Sequence, residues 1–370
     1  MKEKPVIVID DKIPFIKGVL EPYAEVRYLA PTAIDRMTVR DADMLIVRTR
    51  THCNAALLDG SRCRFIGTAT IGYDHIDTDY CRSHGIEWIN APGCNAASVA
   101  QYITASLLRH AEKEGINLTT KCIGIVGVGH VGRQVEAHCR RLGMHVLLND
   151  PPRAENEGAE GFVSLDEIAR QCDYITFHTP LTREGAHPSY HLADERFFGQ
   201  ATRRPVIINA ARGGVVDEQA MLDAYRNEKV GDLIIDCWEG EPHISADLQQ
   251  KAFIATPHIA GYSADGKSNA TRAMVAAVAA RLGITIDLST IVPPSPPAPV
   301  IRLTGRSDDF ARAVWQTYDP LNDSAALKSA PETFEQLRGN YPLRREFGAY
   351  TLTPPAFARD FEGWGFTIES

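Results

Sequence analysis

The segment Lys121-Cys122-Ile123-Gly124-Ile125-Val126-Gly127-Val128-Gly129-His130-Val131-Gly132 admits few folds. An apolar run ending in Gly-x-Gly-x-x-Gly reads as a buried strand that turns into a helix, and the spacing gives each glycine a task. Gly127 allows the tight reversal, Gly129 lets a ligand approach the backbone, and Gly132 lets the helix pack on the strand. The N–H groups that open the helix, at His130 and Val131, meet an anion, so the turn suits a pyrophosphate. A second apolar run, 144–148, predicts the next strand and leads to Asp150, 18 residues past Gly132. A carboxylate there binds the adenosine ribose hydroxyls and repels a 2′-phosphate, which selects NAD over NADP as the cofactor. Arg153 is the nearby residue of opposite charge.

With 370 residues, 44% of them hydrophobic, the chain can form two or three domains with real cores. No run approaches the length of a membrane span, and the start, Met1-Lys2-Glu3-Lys4-Pro5 before the apolar 6–9, lacks a signal-peptide core. A net charge of −8 argues against nucleic acid and anionic membranes as partners. The eight cysteines have no metal-ligand spacing, so no metal is expected, and they read as reduced thiols of a cytoplasmic protein. Cys94, between Gly93 and Asn95, reads as a packed thiol.

Strand-like runs at 6–9, 45–48 and 65–68 predict a small α/β unit ahead of the glycine turn. A long helix over 96–114, stopped by Gly115, bridges into a second unit with further strands at 174–178, 206–210, 233–237 and 254–256. An apolar helix over about 265–282 then returns the chain to the first unit. The expected fold is α/β: a Rossmann-type doubly wound parallel sheet, 96–264, inserted in a discontinuous flavodoxin-like α/β substrate domain, 1–95 and 265–290. Residues 291–299 are proline-rich and predict an extended linker. Beyond it, 300–370 predict strands at 300–303 and 347–352 and helices at 310–318 and 331–339. So short a unit makes a marginal core alone and should bury its apolar face against a symmetry mate, as a small C-terminal α+β dimerisation domain of a homodimer.

Three strand ends carry polar residues that a bare nucleotide fold does not need: Asn209-Ala210-Ala211-Arg212-Gly213-Gly214, Asp236-Cys237-Trp238-Glu239-Gly240-Glu241-Pro242 and Thr256-Pro257-His258-Ile259-Ala260-Gly261-Tyr262. In an open α/β sheet such ends converge on one crevice. Arg212 offers a planar fork for a carboxylate and its neighbouring oxygen. His258 can take the proton of an alcohol as hydride leaves the same carbon, a task that suits an imidazole with an ordinary pKa of about 6.5. Glu241 can hold that imidazole in the needed tautomer. Together they predict a hydride-transfer site for a 2-hydroxy acid.

With these residues the chain resembles the D-isomer-specific 2-hydroxyacid dehydrogenase family over 1–285. The resemblance rests on Gly67-Thr68-Ala69-Thr70 with Asp74-His75-Ile76-Asp77, on Ala91-Pro92-Gly93-Cys94-Asn95-Ala96, and on the glycine turn with Asp150-Pro151-Pro152-Arg153. Phe177-His178-Thr179-Pro180, Trp238-Glu239-Gly240-Glu241-Pro242 and His258-Ile259-Ala260-Gly261-Tyr262 extend it. The resemblance implies Arg212, Glu241 and His258 as the catalytic arginine, carboxylate and histidine. It implies cofactor contacts from Asp150, Thr179, Ala210, Ala211, Arg212, Asp236 and Gly261, and substrate contacts from Thr49, Thr70 and Tyr262. Thr49 stands where serine is frequent and Ala211 where cysteine or serine is, and both stay small.

The resemblance further implies a small phosphorylated hydroxy acid as substrate. Basic candidates for its phosphate are Arg48 and Arg50, which flank Thr49, and Arg344 and Arg345, reaching in from a partner subunit. Two other readings use the same residues: a dehydrogenase of glycerate, phosphoglycerate or another 2-hydroxy acid, and an NAD-responsive binding protein that does not turn over.

Overall fold

The computed structural model describes residues 4–369. The chain packs as two compact units, one made of the residues up to Asn95 with Ser263–Ser295, the other of Ala96–Tyr262 with the residues from Pro296 onward.

The first unit is a five-stranded parallel sheet of β1 (Val6–Asp10), β2 (Glu25–Leu29), β3 (Met44–Val47), β4 (Phe65–Thr68) and β5 (Glu87–Ile89), in the order β2-β1-β3-β4-β5. This is the flavodoxin-like order. The inner strands are buried along their whole length, which is why β1, β3 and β4 read as mainly apolar runs, broken only by Asp10 and Thr68 at strand ends and by Gly67. The edge strands β2 and β5 lie outside the sequence expectation because each mixes charged and apolar residues and stays partly exposed. The helix Ala264–Leu282 covers one face, with Met274, Val275 and Val278 packed among Ile7, Ile9 and Phe65. A Cβ on Gly67 would lie 2.7 Å from Met274 Sδ, so glycine there leaves room for the methionine.

In the second unit six parallel strands, β6 (Cys122–Val126), β7 (His145–Asn149), β8 (Tyr174–Phe177), β9 (Val206–Asn209), β10 (Leu233–Ile235) and β11 (Ile254–Ala255), lie in the order β11-β10-β9-β8-β6-β7. The strand order reverses beside β6, the doubly wound arrangement that opens a crevice at the carboxyl ends. Register sets what stands there. Val126 pairs with Asn149 and Phe177, Asn209 with Phe177 and Ile235, and Ile235 with Ala255. The next residues, Gly127, Asp150, His178, Ala210, Asp236 and Thr256, therefore leave the sheet along one edge.

The C-terminal residues add a three-stranded parallel sheet, β12 (Val300–Arg302), β13 (Thr351–Thr353) and β14 (Thr367–Ile368), with helices Asp309–Thr317, Pro320–Ser329 and Phe334–Gly339. Two local expectations are corrected. Residues 347–352 form a helical turn, Phe347–Ala349, before β13, and 331–339 form the turn Pro331–Thr333 before the helix Phe334–Gly339. Helix Pro320–Ser329 was missed, although Asp319 caps it and Pro320 opens it.

Part of the apolar face of residues 300–370 packs within the chain. Helix Ala96–Glu114 is buried at every position from Ser98 to Leu107, so it needs cover on all sides. Val314, Tyr318, Phe347 and Trp364 supply part of it, in one core with Val99, Tyr102 and Ile103. Polar contacts fix the register: Arg109 Nε donates to Asp319 Oδ1 at 3.0 Å, Gln101 to Thr317 at 3.0 Å, and the Trp315 indole to Ala105 O at 3.3 Å. On the sheet's open edge, Ala255 N in β11 donates to Ser324 Oγ at 3.0 Å. Among the described residues no helix is long and apolar enough to cross a membrane.

Candidate active site

Sterics build the glycine turn. Gly127 sits at φ +88°, and a Cβ there would lie 2.8 Å from His178 C and Thr179 N. One on Gly132 would lie 2.1 Å from Gly127 O. Gly129, at the N-cap of helix His130–Arg141, has nothing within 4 Å of its Cβ position. That open space faces the first turn of a helix whose leading N–H groups have no intrahelical acceptor. Beside it, Thr179 Oγ1 and His178 Nδ1 are buried with no hydrogen-bond partner, and burial pushes the His178 imidazole down to about 3. An open cradle with an orphaned hydroxyl fits a dinucleotide. At the end of β7, Asp150 accepts from Val128 N at 2.7 Å and Arg153 N at 3.1 Å. Arg153 turns its charge to Glu157, Nη2 to Oε2 at 2.5 Å.

Charge builds the histidine loop. Asp236, 1% exposed, accepts from Thr256 Oγ1 at 2.6 Å, Ile259 N at 2.8 Å and Ala260 N at 2.9 Å. Burial pushes its carboxyl up, against the pull of His258 and these donors. The clasped loop holds His258 at φ +56°, a left-handed conformation uncommon for a side chain with a Cβ. His258 Nδ1 lies 2.9 Å from Glu241 Oε1 and 2.8 Å from Oε2. A hydrogen bond to a carboxylate places the proton on Nδ1 and leaves Nε2 as the acceptor. Glu241 also accepts from Trp238 N at 3.0 Å, while the Trp238 indole donates to Thr256 O at 2.9 Å. Burial alone would push Glu241 up, but His258, Trp238 N–H and the Arg338 guanidinium hold it below the usual carboxylate range.

Arg212 sits on the adjacent loop. Asn209 Nδ2 donates to Arg212 O at 3.1 Å and Cys237 O at 3.2 Å, joining the ends of β9 and β10. A Cβ on Gly213 would lie 1.8 Å from Trp238 O, so only glycine lets the two loops close together. On the outer side Glu239 N donates to Glu218 Oε1 at 2.7 Å, and burial pushes the Glu218 carboxyl up to about 7.

The sequence-predicted residues divide between the two units. Arg212, Glu241, His258, Asp236, Gly261 and Tyr262 belong to the second unit with the glycine turn. Thr49, Thr70, Arg48 and Arg50 belong to the first, past the carboxyl ends of β3 and β4, where Val47 pairs with Thr68. Thr70 Oγ1 bonds Thr68 Oγ1 at 2.7 Å and donates to Gly72 O at 2.9 Å.

Residues 95–260 match the model of the D-isomer specific 2-hydroxyacid dehydrogenase NAD binding domain, and 293–361 match one described only as a domain of unknown function. Over 94% of its length the chain is 51% identical to the erythronate-4-phosphate dehydrogenase of Bacteroides thetaiotaomicron, with 98% of that protein covered. The chain belongs to the D-isomer specific 2-hydroxyacid dehydrogenase family. A Porphyromonas gingivalis relative of the same name is 46% identical, over 94% of this chain and 95% of that one. The solved D-lactate dehydrogenase of Aquifex aeolicus, complexed with NAD and lactic acid, matches with TM-score 0.61 at 25% identity, over 78% of this chain and 100% of that one. The protein is thus an NAD-dependent oxidoreductase built on this family's NAD-binding domain.

Within this 2-hydroxyacid dehydrogenase the structure corrects one phosphate candidate and adds one residue. Arg344 does not reach outward to another subunit. It is 6% exposed, its Nη2 donating to Ala260 O at 2.5 Å and to Ser98 Oγ, its guanidinium 4.2 Å from the Tyr318 ring centroid. Arg345 O accepts from Gln101 at 3.1 Å. The addition is Arg338, on helix Phe334–Gly339, whose Nε donates to Tyr262 Oη at 3.2 Å and Nη1 to Glu241 Oε2 at 3.4 Å. No motif marks it, since 97 residues separate it from Glu241.

Proposed function

We propose that the protein oxidises 4-phospho-D-erythronate to (R)-3-hydroxy-2-oxo-4-phosphooxybutanoate with NAD, in pyridoxine (vitamin B6) biosynthesis. The observation that carries the chemistry is His258 Nδ1 forked onto Glu241 at 2.8 and 2.9 Å, which leaves Nε2 as a base. In this reading Arg212 grips the substrate carboxylate and the oxygen beside it through two parallel N–H donors. Nε2 takes the hydroxyl proton, and Glu241 stabilises the imidazolium that forms and fixes its orientation. NAD, when bound, supplies the acceptor for the hydride that leaves the same carbon. The glycine turn with His130 and Val131 N–H holds its pyrophosphate, Asp150 its ribose, and Thr179, Ala210, Ala211, Asp236 and Gly261 contact the rest.

Support for the substrate comes from relatives named erythronate-4-phosphate dehydrogenase at 51% and 46% identity over nearly the whole chain. We assign the substrate to the unit of 1–95 and 265–290, with Thr49, Thr70 and Tyr262 as contacts and Arg48, Arg50 and Arg345 toward its phosphate. Residues 300–370 are assigned to a homodimer in the cytoplasm. The test is NADH absorbance on adding 4-phosphoerythronate, glycerate or 3-phosphoglycerate to purified protein, with light scattering for the dimer. Turnover highest with 4-phosphoerythronate is expected. Preference for another acid would replace the substrate, no turnover with any would favour the binding protein, and a monomer would refute the homodimer.

A further inference from the structure

We propose that Arg338 is a positioning residue for the Glu241–His258 pair, and that supplying it is what the C-terminal segment does for the reaction. The inference rests on the reading of His258 as the base. It assigns a role in the chemistry to the region matched only as a domain of unknown function.

The geometry has three parts. Arg338 Nη1 reaches Glu241 Oε2, the oxygen that also receives His258 Nδ1 at 2.8 Å, while Oε1 is held by Trp238 N at 3.0 Å. With both oxygens bound from two directions, the carboxylate has no free rotation about its last torsion, and neither does the imidazole forked onto it. Arg338 Nε meanwhile holds Tyr262 Oη at 3.2 Å, and Tyr262 N donates to Ile259 O at 2.8 Å. One guanidinium therefore ties the carboxylate that orients His258 to the far end of the loop that carries it. Finally, the helix bearing Arg338 is seated by Phe334, 1% exposed in a cluster with Leu327, and Leu327 O accepts from Gln249 at 2.7 Å. The cation's place is thus fixed by packing.

A fixed positive charge beside a carboxylate–imidazole pair favours the carboxylate and opposes a second proton on the ring. Arg338 thereby holds the pair in the state with one shared proton, the state in which Nε2 can act. Among the described residues, the other titratable groups facing the pair are Asp236, Cys237 and Glu218, with Arg212 beside Cys237. Glu335 faces Arg338 itself. All of them are retained when Arg338 alone is changed.

The experiment is the pH profile of kcat/KM for Arg338→Met and Arg338→Lys in the full-length protein, with NAD affinity and melting temperature measured alongside. For Arg338→Met the acidic limb should move up by about half to one pH unit, because the pair titrates as a unit and has lost a nearby cation. Its kcat at neutral pH should fall about tenfold, a fraction of what general base catalysis supplies, with NAD affinity unchanged. Arg338→Lys keeps the charge without the fork, so its limb should match the parent's while kcat recovers only in part. Arg338→Gln carries the same expectation as Arg338→Met if the latter does not fold. A neutral variant whose limb stays at the parent's position, or a lysine variant whose limb moves as far as methionine's, overturns the proposal. His258→Asn separates the two levels. If it retains activity within about tenfold, the reading of the base fails; if it is inactive and the Arg338→Met limb has not moved, only the present inference fails.

Discussion

The glycine turn and the histidine loop end strands of one sheet and are held in opposite ways. At Gly127 and Gly132 the backbone comes within 2.8 and 2.1 Å of where a side chain would begin, so the turn is specified by what is left out. His258 is specified by what is put in: a buried carboxylate with three donors at 2.6–2.9 Å, a second carboxylate on the ring, and a guanidinium behind that. A steric device rests on backbone approach and is indifferent to pH. An electrostatic one draws on distant residues and responds to every charge around it.

Breaking the steric device should give the largest effect. Gly132→Ala drives a methyl into Gly127 O, so NAD affinity should fall by about a thousandfold and stability by about 3 kcal/mol. Gly129→Ala meets open space and should keep stability within about 0.5 kcal/mol of the parent while still weakening NAD. Calorimetry with and without NAD separates the two, and equal stability losses would show that crowding is not what shapes this turn.

Breaking the electrostatic device comes next. Asp236→Asn presents an NH2 group to at least one donor, Thr256 Oγ1 and Ile259 N on one side or Ala260 N on the other. We expect a loss of about 2–4 kcal/mol and of about a hundredfold in kcat. Chemical denaturation and steady-state rates check both, and a variant as fast as the parent would remove Asp236 as the loop's clasp.

Asp150 belongs to both designs, since its carboxylate caps backbone N–H groups at 2.7 and 3.1 Å beside the glycines. Asp150→Ala should weaken NAD about tenfold and narrow the margin over NADP, with about 1 kcal/mol of stability lost with the cap. An unchanged NAD-to-NADP ratio would locate the selectivity elsewhere.

The smallest effect sharpens the contrast in pH. Burial pushes Glu218 up to about 7, so the folded protein holds that proton more tightly than the unfolded chain does. Its contribution is fully present below the ordinary glutamate range and is lost as pH rises toward and past 7. Glu218→Gln removes that slope, so melting temperatures of variant and parent should diverge more at pH 8 than at pH 5. A constant difference across that range would mean that Glu218 is not buried in its acid form.

The same contrast explains what the sequence disclosed. The buried parallel strands stood out because both faces are covered and nearly every position is apolar, as in Val6–Asp10, where Asp10 alone is charged, and Cys122–Val126. Glu25–Leu29 and Thr367–Ile368 did not, being edge strands whose outer positions face water. In the site, Gly127 to Gly132 could be read from spacing alone, and Arg212, Glu241 and His258 from their places after strands. Arg338 could not, because a charge on a short helix looks like surface until the fold brings it to Glu241.

Helix Ala96–Glu114 has a consequence in time. Its burial from Ser98 to Leu107 is completed by residues as late as Trp364 and Phe366. A ribosome adding about 5–20 residues per second needs on the order of 10–50 seconds to cover that interval. Through that interval the part of the helix that these residues cover stays exposed, offering chaperones a handle and neighbouring nascent chains a place to stick. Residues 301–366 are what ends the exposure.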